Sequence, residues 1–287
     1  MNAPLSIWTG YYWLHPDNSK EPEDAVREFL KDGIYCSECA GEHATCLLSR
    51  GGDNYIEEGK RFKRFLDENG YTMTQGHIDW PFEYVGDDKA DNIERIIRNI
   101  KLYEAMGIKC AVLHCDRVLG LDASVEEKIE LNILGLKKLS EGIKGVDITI
   151  CLENLTSFVT DADTLLYIIE KVGDPKFAIC LDTGHLNYTK ASSQREFILK
   201  AGKKLRALHI ADNDGSDDQH LMPFGKGKVN FEEVVKALDE IGYEGLFNYE
   251  IPGENGKYTP LEMRHEKMKF IKKGYEYLMT SIGRNKL

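Results

Sequence analysis

Proline is scarce in this chain, 8 in 287 residues, and no Pro/Ser-rich or low-complexity run interrupts it. Residues 1–287 therefore read as one domain. No stretch approaches the ~18 consecutive apolar residues that cross a membrane. The opening residues, MNAPLSIWTGYYW, carry neither a basic stretch nor a long apolar one, so a secretory signal is not expected. The 7 cysteines are odd in number and scattered, which points to reduced thiols and a cytoplasmic location rather than a disulfide framework. Positive charge is in deficit: Lys+Arg 37 against Asp+Glu 48 leaves −11. With no basic stripe in view, nucleic acid is disfavoured as a partner. A glycine-rich phosphate loop is also missing after the first apolar run, which counts against a doubly wound dinucleotide-binding sheet.

What is present is an alternation. Short apolar runs at 6–10, 33–38, 71–77, 110–115, 148–154, 177–182, 206–212 and 245–251 read as strands, with amphipathic stretches between them. Ile93, Ile96, Ile97 and Ile100 form the i, i+3, i+4, i+7 stripe of a core-facing helix. Ser124 with Glu127, and Asn230 with Glu233, have capping-box spacing. Gly107, Gly173 and Gly242 stand where helices should stop. An unbroken series of strand–helix units predicts the α/β class and a single-domain (β/α)8 TIM barrel.

Such barrels collect reactive groups at the C-terminal ends of their strands. Reading the last inward residue of each run gives Glu38, His77, His114, Glu153, Asp182, His209 and Glu250. Strand parity supports the choice: Thr149, Cys151 and Glu153 share one face, as do Ala178, Cys180 and Asp182, and Asn248 with Glu250. Glu153, Asp182 and Glu250 would repel one another around His209 unless a cation neutralised them. One imidazole and three carboxylates suit a divalent ion, with Mn²⁺ first and Mg²⁺, Co²⁺ or Zn²⁺ as alternatives.

The segments CLENL (151–155), CLDTGHLN (180–187), LHIADNDG (208–215), DQHLMPFGKGKVNF (218–231) and GYEGLFNYEIPGE (242–254) resemble the xylose isomerase-like barrel superfamily. That group includes sugar isomerases, ketose 3-epimerases, inosose-processing enzymes and endonuclease IV. The resemblance implies that Glu153, Asp182, His209 and Glu250 hold the metal and that Glu153 and Glu250 exchange protons with substrate. It implies a substrate-contacting role for His185, and we group His114, His77, Glu38 and Trp80 with it as substrate-binding candidates, with pairing to a nearby histidine as the plainer reading of Glu38. It also implies a small-molecule sugar as substrate and a homo-oligomer as the assembly.

The expected reaction moves a proton through an enediolate on a ketose or related polyol, as an epimerase or isomerase acting on carbohydrates. Dehydration or isomerisation of an inosose uses the same equipment. The other alternative is an endonuclease IV-like enzyme with three zinc ions, because His77, His114, His185, Asp218 and His220 extend the ligand set. Asp218 and His220 are therefore candidates for additional metal. The acidic charge places sugar chemistry ahead. A barrel that had become a binding module without catalysis would be expected to lack one of the two glutamates.

Three smaller features have plainer readings beside functional ones. Cys36, Cys39, His43 and Cys46 have a zinc-like spacing, but a zinc turn there would interrupt the barrel, so reduced thiols are preferred. Gly225-Lys226-Gly227-Lys228 could take a phosphate, yet a tight glycine turn is the simpler reading. Trp8, Tyr11, Tyr12, Trp13, Trp80 and Phe82 could stack on a sugar or pack a subunit interface.

Overall fold

The computed structural model describes residues 3–13, 21–79, 81–118, 122–256 and 258–283. Eight parallel strands follow one another around a barrel: β1 Leu5–Trp8, β2 Cys36–Cys39, β3 Thr72–His77, β4 Cys110–Leu113, β5 Thr149–Glu153, β6 Phe177–Asp182, β7 Leu205–His209 and β8 Phe247–Tyr249. Hydrogen-bonded pairing runs in the order β7-β6-β5-β4-β3-β2-β1-β8. Between β7 and β8 the ladder thins to a single parallel bridge, Ile210 with Tyr249, supported by Ile210 N to Asn248 O at 2.7 Å and Glu250 N to Ile210 O at 3.2 Å. All eight expected strands are present.

The intervening helices cover the outside because each has an apolar stripe to bury. In the helix Ala90–Met106, Ile96, Ile97 and Ile100 are buried, and Gly107 ends it in the left-handed conformation at φ 84°. Ser124 and Glu127 form the reciprocal capping box of the helix Val125–Gly142. Asn230 caps Phe231–Glu240 by accepting from Glu233 N. No helix among the described residues is long and apolar enough to cross a membrane.

The barrel interior is layered. Small side chains, among them Cys151, Ala178, Cys180 and Ala207 with Val112, fill the end near the strand starts. Above them lies a polar layer. Ser6 Oγ donates to Asn248 Oδ1 at 2.7 Å, Asn248 Nδ2 to Glu38 Oε2 at 2.6 Å, and Gln75 Nε2 to Glu38 Oε1 at 3.0 Å. These groups are wholly buried or nearly so, and each is paired, as burial demands. The next layer, at the strand ends, carries the chemistry.

The thiol and lysine segments have local partners. Cys39 Sγ faces Ala40 O, His43 Nδ1 meets Thr9 Oγ1 at 2.8 Å, and Cys46 Sγ faces Glu21. In the 225–228 segment a Cβ on Gly227 would lie 2.0 Å from the Asp212 carboxyl carbon. Asp212 Oδ1 accepts from Asn213 N and Val229 N, which anchors the turn while Lys226 and Lys228 remain exposed.

Candidate active site

Glu153, Asp182 and His209 close three neighbouring strands, and Glu250 follows β8 directly. One ligand atom from each lies within 4.8 Å of the others. His209 Nδ1 is 3.1 Å from Glu153 Oε1 and 3.3 Å from Glu250 Oε2. Glu153 Oε1, Asp182 Oδ2 and His209 Nδ1 are buried and have no hydrogen-bond partner among the described residues. Orphaned polar atoms of this kind are costly, and here they point at one another.

The remaining atoms of the same residues are engaged. Asp182 Oδ1 accepts from His185 N at 2.6 Å, capping the short helix Thr183–Thr189. Asn154 brackets the Asp182 backbone, accepting from its N at 2.7 Å and donating to its O at 3.0 Å. Glu153 Oε2 faces His114 Nε2 at 2.9 Å. His209 Nε2 donates to Glu38 Oε1 at 3.1 Å. Each group is thus fixed by one atom and leaves another directed to a common point, the arrangement that orients metal ligands. Three hard oxygens and one imidazole fit a divalent cation.

Two further sets flank this one. In His77, His114 and Glu153, and again in Asp182, His185 and His220, one ligand atom per residue lies within 4.8 Å of the others, close enough to share an ion. Neutral imidazoles in these sets would be oriented by carbonyl acceptors: His77 Nδ1 by Ile78 O at 2.8 Å, His185 Nδ1 by Asn154 O at 2.8 Å and His220 Nδ1 by Glu250 O at 3.2 Å. Their Nε2 atoms turn toward carboxylates, with Asp218 lying 3.1 Å from His185 and 3.2 Å from His220.

The electrostatics follow from this crowding. Burial works against charge on His77, His185 and His220, yet the facing carboxylates outweigh it and hold them at about 9, 10 and 9. Burial pushes Glu153 up, but His209 and His114 prevail and hold it well below the usual range. For Glu250 burial wins against His209 and His220, and its carboxyl is raised. His114 goes the other way, to about 4, because burial exceeds the pull of Glu153. The site therefore draws cations, and its two glutamates differ in proton affinity.

A cavity of about 300 Å³ opens above these groups. Trp8 and Phe82 lie on its wall with His77, His114, His185 and Glu250. The Phe82 ring sits 4.2 Å from that of His114. Tyr11 and Tyr12 instead pack below against Phe29, and the Tyr11 hydroxyl donates to Arg264 O at 2.8 Å. Trp80 lies outside the described residues. Glu38 is brought close but not to the cavity: it is 0% exposed, and Gln75, Asn248 and His209 occupy its oxygens. Of its two expected roles the structure shows the pairing with a histidine: Glu38 supports His209 from beneath.

Sequence reasoning missed Ser6, Gln75 and Asn154. Gln75 lies two residues before His77, on the same face of β3, so periodicity could have found it. Asn154 carries no such signal, since its role depends on the neighbouring strand.

Residues 31–274 match the family described as "Xylose isomerase-like TIM barrel". The chain belongs to this family. A relative, "Fructoselysine 3-epimerase" of Escherichia coli O157:H7, is 32% identical over 120 residues, 40% of this chain and 43% of that protein. "Probable endonuclease 4" of Metamycoplasma arthritidis is 25% identical over 169 residues, 54% of this chain and 60% of the relative. Both alignments span less than two thirds of the relatives' lengths. Among solved structures, a D-psicose 3-epimerase in the presence of D-fructose superposes with a TM-score of 0.77 at 16% identity, covering 96% of this chain and 99% of the other. That likeness concerns the fold.

Proposed function

We propose that this member of the xylose isomerase-like family is a metal-dependent epimerase or isomerase of a ketose or related polyol. The observation that carries the reading is the convergence of Glu153 Oε1, Asp182 Oδ2 and His209 Nδ1, all without a hydrogen-bond partner among the described residues, beside Glu250. These four residues would hold one divalent ion, Mn²⁺ first among the candidates. When bound, such an ion supplies a Lewis acid that polarises a carbonyl and stabilises negative charge developing beside it.

The protein's own groups supply the rest. Glu153 and Glu250 act as the acid/base pair: one removes the proton from the carbon next to the carbonyl, leaving an enediolate, and the other returns a proton. Return on the opposite face inverts a stereocentre; return to the neighbouring carbon exchanges aldose for ketose. His114 and His77 steady Glu153 from its far oxygen, and His185 is anchored between Asn154 and Asp218. Trp8 and Phe82 exclude water from the reacting carbons. A cavity of about 300 Å³ is at the small end of ligand sites, which favours a small molecule.

A second reading is supported by the two flanking sets, His77–His114–Glu153 and Asp182–His185–His220. With three ions the site would suit hydrolysis of a phosphodiester. Among the described residues, the cavity wall sets a single arginine, Arg117, among Glu42, Asp79 and Asp218, too little positive charge for the successive phosphates of a nucleic-acid backbone.

The deciding experiment is elemental analysis of protein purified without chelator or metal-binding tag, followed by a ketose panel in deuterated water. About one Mn²⁺, Co²⁺ or Mg²⁺ per chain with deuterium entering a ketose is the expected result. Three zinc ions per chain, no exchange, and cleavage of abasic DNA would replace this reading with the second.

A further inference from the structure

Arg117 is the one arginine or lysine lining the cavity among the described residues. Its neighbours on the wall are imidazoles and the carboxylates Glu42, Asp79, Glu153, Asp218 and Glu250. The arginine side chain is exposed and makes no ion pair or hydrogen bond among the described residues, whereas Arg50, Arg61 and Arg195 are each paired with glutamates. The wall's carboxylates leave this guanidinium unpaired among the described residues, so its five donors are open to a ligand.

The backbone that carries it is unusually well braced. Asp116 is 3% exposed. Its Oδ1 accepts from Val118 N at 2.7 Å, and its Oδ2 accepts from Tyr84 N and Val85 N, both at 2.8 Å. Asn132, itself wholly buried, accepts from Asp116 N at 2.8 Å and returns a bond to Asp116 O at 2.9 Å. The Tyr84 hydroxyl donates to Asn132 Oδ1 at 2.6 Å. Val118, on the far side of Arg117, is held at φ 51°, a left-handed conformation that a β-branched residue adopts only under constraint. Buried polar groups thus hold the chain on both sides of Arg117, and a strained backbone is tolerated to do so. Strain of this sort concentrates where a side chain must be aimed.

From this placement we infer that the substrate bears an anionic group, a carboxylate or a phosphate, which Arg117 binds at the cavity mouth while the reacting carbons lie over Glu153 and Glu250. The inference rests on the proposed sugar chemistry and narrows its substrate class to acidic or phosphorylated ketoses. The planar guanidinium matches either anion through two parallel hydrogen bonds. The surrounding acidic wall then works as discrimination: it repels an anion bound in the reverse orientation.

The test is calorimetric binding to the metal-loaded protein. The probes are ketopentoses and ketohexoses in matched neutral, terminally phosphorylated and terminally carboxylated forms. They are compared in wild type, Arg117→Gln and Arg117→Lys at low ionic strength. The expected result is a preference of about tenfold or more for one anionic form, abolished by Arg117→Gln, partly kept by Arg117→Lys, with neutral ketose binding unchanged. Retained neutral binding shows that the variant is folded. A preference confined to phosphate or to carboxylate identifies which anion is used. Equal affinity for charged and neutral forms in wild type, or equal weakening of all forms by Arg117→Gln, overturns the inference. The two proposals fail separately. An anion preference lost in Arg117→Gln without deuterium uptake by any ketose keeps Arg117 in its role and removes the epimerase reading. Deuterium uptake into a neutral ketose at the same rate in wild type and variant, with no anion preference, does the reverse.

Discussion

His209 donates from Nε2 to Oε1 of Glu38 across 3.1 Å, and both side chains are 0% exposed. The bond leaves Nδ1 directed at Glu153 and Glu250. Glu38 in turn is held by Gln75 and Asn248, so the tautomer and the angle of a candidate metal ligand are set by a polar layer one step below it. A carboxylate behind a ligating imidazole also raises its basicity.

The first prediction follows from that pair. Glu38→Gln keeps the shape but removes the charge and sets an amide N–H against the donors of Gln75 or Asn248. Metal affinity should fall about 10–100-fold, measured by competition with a chromogenic chelator. Unchanged affinity would mean that His209 needs no partner beneath it.

Glu153→Gln and Glu250→Gln should each reduce turnover by about 10²–10⁴-fold if the two carboxylates exchange protons with substrate. Solvent deuterium incorporation is the readout, with metal content measured alongside because both residues also belong to the ligand set. Full turnover in either variant would remove the acid/base assignment.

Asp218 and His220 separate the one-ion from the three-ion reading. The double variant Asp218→Asn, His220→Asn should retain one ion per chain by elemental analysis, since the quartet of Glu153, Asp182, His209 and Glu250 does not include them. A fall from three ions to two would instead support the hydrolytic site.

His43 provides a pH test at a residue outside the ligand sets. Burial, opposed by Glu23, pushes its imidazole down to about 3 from 6.5. Between those values the unfolded chain holds a proton that the folded chain refuses. Stability should therefore fall as pH drops from about 6.5 toward 3, by up to ~1.4 kcal/mol per pH unit from this group alone. His43→Gln should make urea midpoints less sensitive to pH between 6 and 4.5. Parallel pH profiles for wild type and variant would contradict the buried, neutral assignment.

Much of this was legible in the chain itself. The β-strands announced themselves because both faces are buried, and the alternation within 149–153 and 177–182 put Glu153 and Asp182 on the inner face. The helix stop at Gly107 and the Ser124 cap were equally local. Glu38 was legible as inward-facing and as a partner for some histidine, but not as lying beneath His209, since depth depends on barrel tilt and on bulges such as the register shift between Cys36 and Glu38. Arg117 carried no periodic signal at all. Its position comes from Asp116 and Asn132, 16 residues apart, meeting in the folded protein.

The thin seam between β7 and β8 has a consequence for how the barrel breathes. Its one bridge, Ile210 with Tyr249, lies between His209 on one side and Glu250 on the other. An ion gripping both residues would act as a clasp across the place where the cylinder opens most easily. Loading the site should then slow amide exchange at Ile210 and Glu250 more than at the β5–β6 ladder, and chelation should free the seam before the rest of the barrel loosens.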